Sequence, residues 1–458
     1  MRRSQRLSGL DASMLYLETA TQPLQVFSVL ELDPASIPGG YRYDRFRDAL
    51  SERVRATPPL REKPSERFGN LDHPVWVEDV DFDIDRHVHR ISLRTPGGRA
   101  ELRELVGHLA GLPLDRRRPM WELWVIEGLD GGRLAILFKV HHSAADGVTY
   151  ANLLSQLCSA EPDSPPPEPV AATAAPTPLR LAVSGLARFA SRPLLLVVTV
   201  LPAAIRAVVD TIRRAARGRA MAAPFTAPRT RLNGRLTAQR NVAFARLDLD
   251  DIKKVKNHFG VSVNDVAMTL AGGVVRHYLL DRGELPTPSL VALVPVSVHA
   301  PSLDRGRNQV SGMFARLQTQ LADPVTRLRA LAEVTADAKE HAAAIDATLL
   351  QDFSQLTGPI ALGVAKRVYA RLTQFRPMYN LVVSNVPGPR TDYFCGAEVL
   401  AAYPFGPVMH GCGLNITMWS INGKLHVSLI SCPALLPDLS ELADGFATGL
   451  KELLAEVG

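Results

Sequence analysis

The chain reads as a mixed α/β protein built in two parts. Three observations predict this. Short apolar runs that suit strands alternate with runs spaced for helices along most of the 458 residues. A chain of that length exceeds what one hydrophobic core ordinarily serves. Between the two parts, EPDSPPPEPVAATAAPTP (161–178) contains seven prolines, a composition that resists helix and strand alike and marks a linker.

In the first part, QVFSVLEL (25–32) alternates loosely and reads as a strand, and YDRFRDALSERV (43–54) sets Phe46, Leu50 and Val54 on one helical face. MWELWVIEGL (120–129) and GRLAILFKV (132–140) are two strands separated by DGG, a hairpin signal. GVTYANLLSQLCSA (147–160) follows as a helix.

Beyond the linker, PLLLVVTVLPAAI (193–205) holds 13 uncharged residues between Arg192 and Arg206. That run is short of the ~20 needed to span a bilayer. Arg206, Asp210, Arg213, Arg214 and Arg217 then recur at helical intervals, opposite Ile205, Val208, Val209 and Ile212. Such an amphipathic helix either packs on its own domain or lies in an anionic lipid surface. The residues leave both readings open.

The mixed pattern resumes at NVAFARLDLD (241–250). SVNDVAMTLAGGVVRHYLLDRG (262–283) reads as a capped helix, SLVALVPVSV (289–298) and QVSGMFARL (309–317) as strands, and 324–375 as a long helical region. NLVVSNVPGP (380–389), GLNITMWSING (413–423) and KLHVSLISCP (424–433) are strand-rich, and LSELADGFATGLKELLAE (439–456) closes as a helix. The expected organisation is a first domain at 1–160, a connector at 161–235 and a second domain at 236–458.

Hydrophobic residues at 46% and charged residues at 21% are the balance of a soluble globular chain. The net charge of +6 is unevenly spread. Residues 180–240 hold twelve arginines, no lysine and one acid, Asp210, for a local +11 against −5 over the remainder. A basic element of this kind faces an acidic partner. Its arginines lie among aliphatic residues without interleaved aromatics, which argues against a nucleic-acid binder. The basic start MRRSQRLSGLDASMLYLE has no apolar run behind it, and Cys158, Cys395, Cys412 and Cys432 lack metal-ligand spacing. They read as reduced thiols of a cytosolic protein.

FKVHHSAADG (138–147) is the stretch that raises a chemical question, because an apolar strand runs directly into two histidines. A neutral imidazole accepts a proton near neutral pH, and a hydroxyl becomes a competent nucleophile when a base in reach takes its proton. His142 at a strand end, projecting into a cleft, suffices for that work; a buried structural histidine is the alternative. Adjacent residues of a strand point to opposite faces, so His141 and His142 do not suit one metal. No GxSxG elbow is present, and Ser143 lacks the context of a nucleophile. Asp146 could fix the backbone or orient a ring, and Gly147 allows a turn that a side chain would obstruct.

HHSAADG matches the HHxxxDG motif, and its inner HxxxD, of the bacterial wax ester synthase/diacylglycerol acyltransferase family. LSGLDASMLYLE, PVWVEDVDFDIDRHV, PLDRRRPMWELWVIEGL, VSVNDVAMTLAGGVVRHYL, RNQVSGMFARL and SNVPGP resemble family segments in the same order. The resemblance covers roughly residues 7–160 and 236–458. The sequence departs from the family at Ala145, where a bulkier residue is usual, and at Met120, where the family often reads PLW.

This resemblance implies two chloramphenicol acetyltransferase-like domains, each an α+β two-layer sandwich, facing each other across a central tunnel. It implies that His142 is the general base in acyl transfer from acyl-CoA to diacylglycerol, with long-chain alcohols as further acceptors. The reaction needs no metal, no cofactor beyond acyl-CoA as co-substrate, and no acyl-enzyme. Asp146 is expected to hold the loop through an ion pair with an arginine, with His141 and Gly147 supporting the motif. Asn264 and Asp265 match the family's ND motif, as site-supporting residues or as part of a helix N-cap led by Ser262 or Asn264. Pro119, Met120, Trp121, Ser384 and Asn385 are candidate tunnel or packing residues. An oily acceptor and a water-borne donor suit a cytoplasmic enzyme attached peripherally to the inner membrane or to lipid droplets. The alternatives are transfer to another lipid or polyketide alcohol, or a non-catalytic relative that binds lipid surfaces.

Overall fold

The computed structural model describes residues 5–65, 72–165, 167–170, 177–216, 221–297, 310–344, 347–356, 362–363, 376–390 and 392–457. Residues 345–346, 357–361 and 364–375 of the expected helical region at 324–375 therefore lie outside the described residues.

The first part contributes α1 (Gly9–Leu17), β1 (Gln25–Asp33), α2 (Tyr43–Arg55), β2 (Glu62–Ser65), β3 (Val75–Glu78), β4 (Val88–Ser92) and α3 (Arg99–Gly111). β5 (Trp121–Glu127), β6 (Leu134–His141), α4 (Gly147–Leu157) and β7 (Cys158–Ser159) complete it. The expected hairpin is β5–β6, which pair antiparallel through Asp130–Gly132. Gly131 and Gly132 adopt φ of 67° and 70° there, a backbone region that other residues enter at a cost.

β1 alternates only loosely because both of its faces are buried. Val26 and Leu30 join one core while Phe27 and Val29 join another. A strand covered on both sides reads as a continuous apolar run.

The second part contributes β8 (Asn241–Asp248), α7 (Leu249–Phe259), α8 (Val263–Leu280), β9 (Val291–Ser297), β10 (Val310–Arg316), α9 (Pro324–Ala344) and α10 (Ala347–Leu356). β11 (Leu381–Pro387), β12 (Tyr393–Phe394), β13 (Ala397–Phe405), β14 (Leu414–Ile421), β15 (Lys424–Ser431) and α11 (Leu439–Ala455) follow. Six of these strands form one sheet in the order β10-β9-β11-β14-β15-β8. Helices α7, α8, α9 and α11 bury their apolar stripes on it.

The other large sheet runs β4-β5-β6-β1-β13-β12-β7. It therefore takes β12 and β13 from the C-terminal part of the chain, and β13 lies antiparallel to β1 over most of its length. A division of the sequence near residue 236 is not a division of the sheets. Where the two parts meet, Phe27 stacks on Phe405 at 4.5 Å between ring centroids and Phe244 packs on Tyr403 at 4.8 Å. Trp419 and Ile421 of the second sheet reach into the core of the first part.

The connector differs from the sequence expectation. α5 (Pro178–Leu195), a π-helical turn (Leu196–Val200) and α6 (Leu201–Ala216) run end to end. The segment Leu179–Arg214 is thus one helix of 36 residues, long and apolar enough by length and composition to cross a membrane. The uncharged run is not an isolated short segment, because Pro193 and Pro202 are absorbed without ending the helix and the wider π turn lies between them.

The helix is tied to the protein at both ends. Arg192 pairs with Asp72 at 3.1 Å, and Arg6 donates to Ser184 Oγ at 3.0 Å. At the far end Arg214 pairs with Glu340 at 3.2 Å, and Thr211 Oγ1 lies 3.0 Å from His341 Nε2. Between these ties Leu194, Val197, Val198, Ile205, Val208 and Ile212 are all more than half exposed.

Candidate active site

β6 delivers His141 as its last paired residue, opposite Gln25 of β1. The strand then turns sharply, and Ala144 N–H closes onto His141 C=O at 2.8 Å. α4 starts three residues later, capped by Asp146, whose Oδ1 accepts the Thr149 N–H at 2.8 Å. A capping aspartate satisfies a helix-end donor that would otherwise be buried unpaired, and Asp146 is itself buried. Its place in the HxxxD spacing is therefore structural in part.

Gly147 departs from expectation. Its φ is not positive, and a Cβ there would lie 3.7 Å from Val386 Cγ2, an ordinary contact. The turn does not require glycine. The same contact shows that the loop after the histidines abuts β11 of the second sheet.

The two histidines occupy opposite environments, as alternation along a strand dictates. The His141 ring is fully buried and His142 is half-buried. His142 N–H donates to Leu24 C=O at 2.8 Å, which fixes its backbone beside β1. His141 N–H donates to Met120 C=O at 2.9 Å.

His141 Nδ1 lies 3.0 Å from the Ser143 N–H and 2.7 Å from Ser143 Oγ. A backbone amide only donates, so Nδ1 carries the lone pair and the ring proton resides on Nε2. That nitrogen lies 3.3 Å from Glu18 Oε1, a close electrostatic contact short of good hydrogen-bond geometry. Burial pushes the His141 ring below its ordinary pKa, with Glu18 acting against it.

Glu18 was not singled out by sequence. It sits just past α1, and its Oε2 accepts from Arg116 Nε at 3.0 Å and Arg116 Nη2 at 2.5 Å. Oε1 accepts the Leu24 N–H at 3.2 Å. Burial raises the carboxyl, but the His141 ring and then Arg116 outweigh it and hold the group at about 2. The signal available was an acid closing the apolar run LDASMLYL.

The remaining candidates fall into separate places. Met120 and Trp121 are buried in the first core, where Trp121 Nε1–H donates to Leu60 C=O at 2.7 Å and the indole stacks on His87. Pro119 is buried beside them. Asp265 closes a capping box with Ser262 at the start of α8 and accepts from Thr335 Oγ1 of α9 at 2.6 Å. Asn264 donates to Met268 Sδ at 3.3 Å within the same helix. Ser384 and Asn385 are half-buried on β11, paired with Thr417 and Met418 of β14. Alternation puts Ser384 on the same face as Val386, toward the HHxxxDG loop, and Asn385 on the other.

Two family models match this chain: the wax ester synthase/diacylglycerol acyltransferase catalytic domain over residues 7–267 and the WS/DGAT C-terminal domain over 307–454. The chain belongs to the wax ester synthase/diacylglycerol acyltransferase family. A putative diacylglycerol O-acyltransferase of Mycobacterium tuberculosis is 51% identical to it over 455 residues, covering 98% of this chain and 90% of that one. A second protein of that description from the same organism is 33% identical over 461 residues, covering 98% and 97%.

Among solved structures, the wax ester synthase/diacylglycerol acyltransferase of Marinobacter aquaeolei VT8 is similar at a TM-score of 0.71 and 29% identity, over 99% of this chain and all of that one. The first condensation domain of the calcium-dependent antibiotic synthetase is similar at 0.60 and 16% identity, over 99% and 97%, a likeness of fold alone. These neighbours carry the two-part chloramphenicol acetyltransferase-like fold that the HHxxxDG resemblance implies. As a member of this family, the chain is an acyltransferase.

Proposed function

We propose that the chain transfers a long-chain acyl group from acyl-CoA to diacylglycerol, giving triacylglycerol, and also accepts long-chain alcohols. The observation that carries this reading is the position of His142: half-buried, backbone-fixed to Leu24, on a loop that abuts the second sheet. On this reading both substrates are held at that seam, and holding them there supplies the proximity that a covalent intermediate would otherwise provide.

In this mechanism His142 takes the proton of the acceptor hydroxyl as its oxygen attacks the thioester carbonyl. The C–S bond then breaks, and the departing CoA sulfur receives that proton from the same ring. Ester and free CoA thiol are the products, and the histidine is regenerated. No metal or further cofactor enters.

The lipid side of the reading rests on the helix Leu179–Arg214. Its exposed apolar stripe, flanked by arginines, suits the plane of an anionic lipid surface, where the acceptor dissolves. The ties to Asp72 and Glu340 keep it lying along the protein. On this account the enzyme is cytoplasmic and attaches peripherally to the inner membrane or to lipid droplets.

The test is purified protein with labelled palmitoyl-CoA and diacylglycerol, hexadecanol or no acceptor, beside His142→Ala. Acceptor-dependent ester is expected from the wild type and background from the variant. Matching yields from the two proteins would remove His142 as the base.

A further inference from the structure

Besides the bonds within the HHxxxDG turn, its histidines are held from outside: the His141 ring faces Glu18 directly, the His142 backbone reaches it through Leu24, and the Ser143 backbone reaches it through the His141 ring. We propose that Glu18 is a positioning residue for acyl transfer, its carboxylate fixing the His141 ring on one side of His142 and the Leu24 backbone on the other. This rests on His142 acting as the base, and it adds a group that the reaction chemistry alone does not call for.

Two routes lead from the carboxylate to the base. Along the first, Oε1 accepts the Leu24 N–H at 3.2 Å, and the carbonyl of that same residue accepts the His142 N–H at 2.8 Å. Along the second, Oε1 faces His141 Nε2 at 3.3 Å, and the opposite ring nitrogen accepts the Ser143 N–H at 3.0 Å. Residues 141, 142 and 143 are thus each held within one step of Glu18. A negative charge beside Nε2 favours the tautomer with its proton there, and that tautomer leaves Nδ1 free to accept from Ser143. The other tautomer would set two N–H groups against each other at Ser143.

A purely structural role would need only the Arg116 pair, which fastens the end of α1 to the loop before β5. That pair uses Oε2. Oε1 is turned wholly toward the histidine loop and Leu24. The side chain is 7% exposed, so solvent does not replace it when it is removed. Glu18 is ionised under working conditions, as the depressed carboxyl requires.

The experiment compares wild type, Glu18→Ala and Glu18→Gln in steady-state acyl transfer, with nitrogen NMR of the histidine-labelled proteins. His141 is assigned from the signal lost in His141→Gln. The Ala variant is expected to lose about 100-fold in kcat, as displacement of a reacting group does, with KM for both substrates little changed. Gln keeps an acceptor for the Leu24 N–H but not the charge beside Nε2, and is expected to fall between Ala and wild type. The wild-type spectrum is expected to show His141 protonated on Nε2 and unprotonated on Nδ1.

A folded Ala variant with wild-type kcat overturns the proposal, and so does a wild-type His141 carrying its proton on Nδ1. The second result needs no variant, so an Ala protein that fails to fold does not shelter it. Wild type without any transfer activity overturns the reaction itself along with this role, whereas an active wild type matched by Ala overturns this role alone.

Discussion

Trp419 of β14 and Tyr150 of α4 face each other across the seam, ring centroids 6.1 Å apart and planes inclined by 25°. Both are about 2% exposed. The Tyr150 hydroxyl is anchored to Phe138 C=O at 2.8 Å and to Ser28 Oγ at 2.7 Å. The second sheet therefore props the helix that follows the histidines.

Trp419→Ala is expected to cost about 3–5 kcal/mol, since a buried indole leaves a cavity that its neighbours fill only in part. Trp419→Phe keeps a ring over Tyr150 and should lose less. Denaturant midpoints of the two variants check this, and equal midpoints for Ala and wild type would contradict the packing described.

Asp265 illustrates how a family-motif residue can be structural. It caps α8 with Ser262 and receives Thr335 from α9, so it joins two helices in the second core. Asp265→Ala leaves Ser262 as the N-cap but removes the reciprocal half of the capping box, and it takes away the inter-helix acceptor of the Thr335 hydroxyl, which keeps Ala332 C=O at 3.0 Å, at a cost of about 1 kcal/mol. Thermal melting measures it.

The buried His426 predicts acid lability. It sits edge-on to Tyr403, and burial followed by the nearby Arg246 lowers its pKa to about 4. The unfolded chain takes up a proton at an ordinary histidine pKa, near 6.5, while the folded chain refuses it until about 4. Stability should therefore fall as pH drops from about 6.5 to about 4, and not above that range. Melting temperature against pH, compared between wild type and His426→Phe, reads this, with a flatter curve expected for the variant.

For the lipid surface, Arg206→Gln with Arg213→Gln should weaken binding to anionic vesicles by about 1 kcal/mol per arginine. Both side chains are exposed. Sedimentation with phosphatidylserine vesicles at two salt concentrations checks the magnitude, and binding indifferent to salt and to both substitutions would exclude an electrostatic contribution.

Much of the architecture was legible where one periodicity dominates. β5, β6 and their DGG turn lie where alternation and turn chemistry put them, and α4 and α8 begin at residues that cap. β13 was missed. Its residues AEVLAAYPF carry small side chains and a proline, and it pairs with a strand more than 350 positions earlier, which no local pattern announces. The long helix was underestimated because its apolar run was measured only between Arg192 and Arg206, whereas the helix continues through both arginines and both prolines. At the site, His142 was visible because a histidine at a strand end is chemically conspicuous. Glu18 was not, since its meaning depends on a loop brought to it from residues 116 and 141.

The pairing of β1 with β13 also sets a timetable for synthesis. While the ribosome is still making the second half, β1 has β6 on one side and an open row of amides on the other, because its second partner begins at Ala397. An unsatisfied strand edge of that kind recruits other chains. A fragment ending in the connector is thus expected to be recovered as aggregate, and adding residues 236–458 in trans should return it to solution.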